Sequence, residues 1–162
     1  MSKQDERTAF YLDDFKLGNV YETPSITVTR EQLIGFAREY DPQPFHLDDA
    51  AGNASVFGGI AAGGFQTAAL AWALGLRTRL FDDCAMAGIG IDELRWRRPL
   101  KTGDTIKCKM TVIENRPSQS KPDRGIATFA YDMINQNGEV IMTLKLIQML
   151  KRRPANQAAA KA

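Results

Sequence analysis

The chain contains one histidine, His46, and two cysteines, Cys84 and Cys108, among 162 residues. The cysteines lie far apart, form no CxxC pair and show no zinc-ligand spacing, so a structural zinc site is short of ligands. Two buried or half-buried thiols are expected in reducing cytosol, with a disulfide as the alternative. The opening "MSKQDERTAF" has no apolar signal core, and cytoplasm is the compartment expected by elimination. No apolar run reaches the roughly 20 residues that a bilayer-crossing helix needs. A strong charge of one sign is also missing. The formal net charge is +2, but Lys151, Arg152, Arg153 and Lys161 supply four positive charges, which leaves about −2 on the preceding residues. That body offers no electrostatic footprint for nucleic acid.

What is present fits one ordinary globular domain. Apolar residues make up 44% and charged residues 25% of the chain. A chain of this length buries roughly two-thirds of its unfolded surface. No internal repeat and no second domain is found.

The segment "TREQLIGFAREY" predicts a helix capped by Thr29, with Gln32 completing a capping box. Leu33, Phe36, Ala37 and Tyr40 give it one apolar face, and Pro42 and Pro44 end it. A second helix is expected in "GIAAGGFQTAALAWALGLRTRL". It has no charge from Ile60 to Leu76 and is apolar on nearly every side, which calls for burial. Afterwards the period changes. Ile106, Cys108, Met110 and Val112 alternate with Lys107, Lys109 and Thr111, the pattern of a strand with one wet face. "GIATFAYDMINQ" and "EVIMTLKLIQML" read as strands joined across the hairpin signal "QNGE". "AMAGIGIDELRWRRPL" reads as another long strand, and "SITVT" as an earlier one. The expected fold class is α+β, an antiparallel sheet curled around one long buried helix, because the second half has no room for parallel crossovers.

The stretch "YDPQPFHLDD" places the single imidazole between two prolines and acidic neighbours. Asp41 and His46 could hold and activate one water molecule between them. Taken singly, His46 reads first as a surface loop residue and Asp41 as a turn former; the Asp-x-x-Pro-x-His frame reverses both readings. Asp48 and Asp49 suit a cap or solvated charges.

The residues resemble the MaoC-like dehydratase and (R)-specific enoyl-CoA hydratase family, which has the hotdog fold. The family's Asp-x-Asn-Pro-x-His run stands here as Asp41-Pro42-Gln43-Pro44-Phe45-His46. "GGIAAGGFQTAAL" and "GIDELRWRRPLKTGDTI" resemble its central-helix and strand-turn blocks, and the resemblance spans Phe15 to Leu150. Gln43 replaces the usual Asn, Ala62 stands where His is common, and Ala71 where some hydratases carry Ser. The resemblance implies a single hotdog domain over residues 15–150, flanked by a polar extension, 1–14, and a flexible basic tail, 151–162. It implies a hydro-lyase that hydrates a trans-2-enoyl thioester of the acyl-CoA type to the (R)-3-hydroxyacyl product.

Catalysis would fall to Asp41 and His46, with the Gly63 amide as a donor to the thioester carbonyl, although Gly63 equally suits close packing. No metal and no cofactor beyond the CoA of the substrate is implied. A homodimer, or an assembly of dimers, is expected. Arg95, Arg97, Arg98 and Lys101 could meet CoA phosphates or form a solvated face or interface ion pairs. Trp72 and Phe65 could line an acyl tunnel or pack in the core. A hotdog thioesterase and a non-catalytic acyl-CoA-binding module are the alternatives. The lack of a carboxylate between Ile60 and Leu76 weighs against the thioesterase.

Overall fold

The computed structural model describes residues 8–155. After a 3-10 turn at Leu12–Asp14, the elements follow as β1 (Val20–Glu22), β2 (Ile26–Thr27), α1 (Arg30–Tyr40), α2 (Pro44–Leu47) and α3 (Asp49–Ala54). Then come α4 (Gly64–Arg77), β3 (Ala85–Trp96), β4 (Thr105–Pro117), β5 (Arg124–Ile134) and β6 (Val140–Lys151). One antiparallel sheet runs in the order β1-β4-β5-β6-β3, with β2 also paired to β4. This is the expected hotdog arrangement, a sheet packed around the long helix α4.

The local reasons follow the sequence closely. Thr29 Oγ1 accepts from the Gln32 amide and Gln32 Oε1 accepts from the Thr29 amide, closing the capping box of α1. On β4, Ile106, Cys108, Met110 and Val112 are all buried, as their alternation requires. Phe129, Tyr131 and Met133 of β5 continue this layer. The β5–β6 hairpin turns at Gly138, whose φ of 76° is a left-handed conformation that glycine adopts without strain. Helix α4 lays Ala71, Leu74 and Gly75 against the sheet. A Cβ at Gly75 would collide with the Tyr131 hydroxyl, so glycine permits this close approach. Both cysteines are free and buried, and burial pushes each thiol up to about 12.

Three expectations are corrected. Helix α4 is not buried on all sides in one chain: Phe65 and Leu76 are exposed, because the sheet covers one face only. Residues 1–14 are not all a polar extension, since Tyr11 and Leu12 pack in the core with Phe15. Asn115 Nδ2 donates to the carbonyls of Leu12 (2.7 Å) and Phe15 (2.6 Å), fixing this segment to β4. Nor do residues 151–153 begin a loose tail. Lys151 belongs to β6, Arg152 pairs with Asp13 at 3.0 Å, and Arg153 pairs with Asp14. The rest of the expected tail, residues 156–162, lies outside the described residues, as do residues 1–7.

Strand β3 sits at the far edge of the sheet. Among the described residues it pairs only with β6, and it has register shifts between Ala85 and Ala87, Gly88 and Gly90, and Asp92 and Arg95. Ile89 and Ile91 on this strand are exposed. Among the described residues no helix is long and apolar enough to cross a membrane.

Candidate active site

The two prolines of the motif have different tasks. Helix α1 stops at Tyr40 and Asp41 is its C-cap, ahead of Pro42. Pro44 occupies the first position of the next short helix, α2, where a missing amide hydrogen costs nothing. His46 therefore lies on a helical turn, and the run between Asp41 and His46 is not a loop throughout. Asp48 then caps α3 by accepting from the Ala51 amide, while Asp49 pairs with Arg30 at 2.7 Å.

This path brings the two residues together. His46 Nε2 stands 3.5 Å from Asp41 Oδ2, and the imidazole is buried while the carboxylate is partly accessible. The other ring nitrogen, Nδ1, lies 2.8 Å from the Ala61 carbonyl oxygen. A carbonyl oxygen only accepts, so Nδ1 carries a proton and Nε2 is left to exchange one. Phe45 and Phe57 flank the ring, with centroids 4.6 and 6.0 Å away. The Ala61 carbonyl is itself held in place. Ala61 bridges to Lys101 and the Ala62 amide donates to the Leu100 carbonyl at 2.8 Å.

Gly63 is the N-cap of α4 and lies beside Asp41, where an added Cβ would collide with Oδ2. The first turn of any helix leaves amides without intrahelical acceptors, and the helix dipole makes that end attractive to negative charge. The Gln66 side-chain amide donates to the Gln32 carbonyl at 2.9 Å, tying this turn to α1.

Asp41 and His46 open into a cavity of about 540 Å³, within the range of small-ligand sites. Tyr40, Phe57, Phe65 and Trp96 give it an aromatic wall, and Arg97 and Arg98 bring positive charge to the same space. Phe65, open to both the tunnel and the core reading, stands exposed on this wall. Trp72 is half-buried against Phe81. Trp96 packs its indole over Gly64 and donates Nε1–H to the Gly64 carbonyl at 2.9 Å. Arg98 is paired with Glu139 at 3.3 Å. Ala62 also lines the cavity, while Ala71 lies in the core. Tyr40, Phe57 and Trp96 were not expected at the site. Their placement depends on pairings between distant segments that no local pattern carries.

The comparisons with known proteins bear on family and fold. The family model described as "MaoC like domain" matches residues 14–130. The crystal structure of a MaoC-like dehydratase from Rhodospirillum rubrum is similar, with a TM-score of 0.82 and 37% identity over 90% of this chain and 99% of that one. The unliganded R-hydratase PhaJ1 from Pseudomonas aeruginosa has a TM-score of 0.73 at 24% identity, covering 90% of this chain and 88% of that chain, a likeness of fold. The uncharacterized protein YdeM of Bacillus subtilis (strain 168) is 28% identical over 141 residues, 87% of this chain and 99% of its own length. With the Asp41–His46 pair at its cavity and the family model matched across most of its length, the chain belongs to the MaoC-like domain family.

Proposed function

We propose that this protein hydrates a trans-2-enoyl thioester reversibly to the (R)-3-hydroxyacyl thioester. The observation that carries this is the orientation of the pair: Oδ2 of Asp41 and Nε2 of His46 are 3.5 Å apart and share one aromatic-walled cavity. That separation is too long for a strong direct hydrogen bond, yet a water about 2.8 Å from each atom can sit to one side of the line between them.

In the hydration direction, Asp41 takes a proton from this water as its oxygen bonds to Cβ. The electron pair of the double bond moves toward the thioester carbonyl. The cycle starts from the Asp41 carboxylate and a His46 imidazolium, protonated on Nε2 as well as Nδ1. The Nε2 proton passes to Cα, leaving a neutral imidazole, and the substrate has gained one hydroxyl and one hydrogen. A proton passing from Asp41 to His46 restores the pair. Both groups address one face of the double bond, so the two additions fall on that face. The Gly63 amide, at the start of α4, is suited to stabilise the negative charge gathering on the carbonyl oxygen. Burial of the Nδ1–Ala61 contact keeps Nε2 pointed at the reacting water throughout.

The cations Arg97 and Arg98 suit an anionic carrier such as the phosphates of CoA. No metal or redox group is needed, and CoA enters only as part of the substrate. A second copy of the chain is the partner that suits the open edge of β3 and the outer face of α4, since an unpaired apolar edge invites another strand. The test is conversion of an enoyl-CoA followed by absorbance of the conjugated double bond, with the product resolved on a chiral column. Formation of the (R)-alcohol supports the proposal, and hydrolysis of the thioester without hydration would replace it.

A further inference from the structure

We infer that Trp96 is a specificity-determining residue that limits the site to compact acyl groups, an inference resting on the hydration reading of the cavity. Trp96 reaches that cavity by way of a bulge in β3. Asp92 lies opposite Lys145 and Arg95 opposite Thr143, so three steps along β3 match two along β6 and one residue is extra. Glu93 lies inside this step with a φ of 51°, the left-handed region that a non-glycine residue seldom adopts. Its carboxylate pairs with Lys145 at 2.6 Å, which ties the bulge to the neighbouring strand.

The extra residue changes the face that Trp96 occupies. Side chains alternate along a strand, so an unbulged β3 would put Trp96 on the face of Asp92 and Lys145. With the bulge, Trp96 stands opposite Met142, a fully buried core residue, and directly opposed residues share a face. Leu94, also past Glu93, packs against the same core. Bulges and left-handed non-glycine residues cluster beside functional sites, where they re-aim a side chain. Here the side chain re-aimed is the indole that walls the cavity of Asp41 and His46.

The ring is anchored there. Its Nε1–H donates to the Gly64 carbonyl at 2.9 Å, and it meets Phe65 edge-on with centroids 6.2 Å apart. A Cβ at Gly64 would lie 2.6 Å from two indole carbons, so the ring sits directly on the first turn of α4. That turn begins at Gly63, the proposed donor to the thioester carbonyl. A thioester held at Gly63 brings its acyl group within reach of the indole. A flat ring fixed by a hydrogen bond yields less than a free aliphatic side chain, so length or branching beyond it costs binding.

The experiment compares Trp96→Ala and Trp96→Phe with the wild type. Hydration is measured with crotonyl-CoA and trans-2-decenoyl-CoA, and folding by thermal melting. Binding is measured by calorimetry with butyryl-CoA and decanoyl-CoA, which have no double bond to hydrate. In the wild type, kcat/KM for the crotonyl substrate should exceed that for the decenoyl substrate by about tenfold or more, and butyryl-CoA should bind at least as tightly as decanoyl-CoA. Trp96→Ala should raise the decenoyl-to-crotonyl ratio by about tenfold and move the two Kd values in the same sense. Trp96→Phe keeps a ring and should stay within about threefold of the wild-type ratio. A merely structural role, or contact with the carrier alone, would change both substrates by one factor and leave the ratio as it was. That result would overturn the inference, as would a wild type that prefers the decenoyl chain. Calorimetry reads the preference even in a protein that hydrates nothing, so failure of the hydration reading and failure of this inference are distinguishable.

Discussion

His46 Nδ1–H donates a hydrogen bond to the Ala61 carbonyl, 2.8 Å away, and this one contact decides which nitrogen meets Asp41. The imidazole comes from α2 and the carbonyl from the segment leading into α4, so the docking of two elements sets the tautomer. The same segment continues into Gly63, which packs against Asp41 Oδ2. The candidate base, acid and carbonyl donor are thus mutually positioned by one short stretch of chain.

Gly63→Ala tests that close packing. The new methyl group would displace the Asp41 carboxylate while leaving the backbone amide in place. We expect kcat to fall by about a hundredfold, with a stability loss of about 1–3 kcal/mol from overpacking. Steady-state kinetics and thermal melting measure both effects. Wild-type kcat in this variant would mean that the carboxylate can move without consequence.

Arg97→Glu tests the charge at the cavity. With a CoA thioester, KM should rise by about tenfold or more, and the increase should shrink as salt is added. With the matching thioester of pantetheine, which lacks phosphate, KM should change little. An equal change for both substrates would assign Arg97 to a role unrelated to carrier charge.

Acid should loosen the contact between the two ends of the described chain. Partial burial pushes the Asp13 carboxyl up, but the Arg153 amide and the Arg152 guanidinium outweigh it and hold it below its ordinary value. A depressed carboxylate contributes stability above its unfolded pKa of about 3.9 and loses it as pH falls through the folded value. Asp13→Asn should cost about 1 kcal/mol at neutral pH, after allowance for solvent screening. The difference from the wild type should shrink as pH falls below the ordinary carboxylate range and through the lowered folded value. Denaturant melts across pH measure this directly, and a difference independent of pH would contradict it.

Ile91→Lys places a charge on the exposed edge strand β3. If this edge meets a second copy, light scattering should show the wild type as a dimer and the variant at the single-chain mass of 18.0 kDa. A wild type that runs as a monomer, or a variant that stays dimeric, would remove β3 from the interface.

The parts of the fold legible in the sequence are those set by short-range chemistry. Thr29 and Gln32 are three residues apart, as a capping box demands, and α1 begins there. The β4 core face could be read because its alternation is unbroken from Ile106 to Val112. Pro44 was harder. A proline just after a helix marks its end, but the same residue can start the next helix, and here it does so for α2. Tyr11 and Leu12 end a four-residue apolar run, Ala9 to Leu12, too short to carry a periodic signal, and the segment is fixed by Asn115, distant in the chain. The position of β3 beside β6 is likewise a property of the whole sheet. At the site, the motif pointed to Asp41 and His46, whereas the aim of Trp96 depends on a bulge in β3 that local alternation does not mark.

The most direct measurement is an absorbance assay of the purified protein with crotonyl-CoA and a longer enoyl-CoA, with free thiol followed in parallel. The wild type should remove the conjugated double bond without releasing thiol. Asp41→Asn and His46→Ala should each lower that rate by about 10²- to 10⁴-fold. Thiol release, full activity in either variant, or no loss of the double bond with any chain length would contradict hydration by the Asp41–His46 pair.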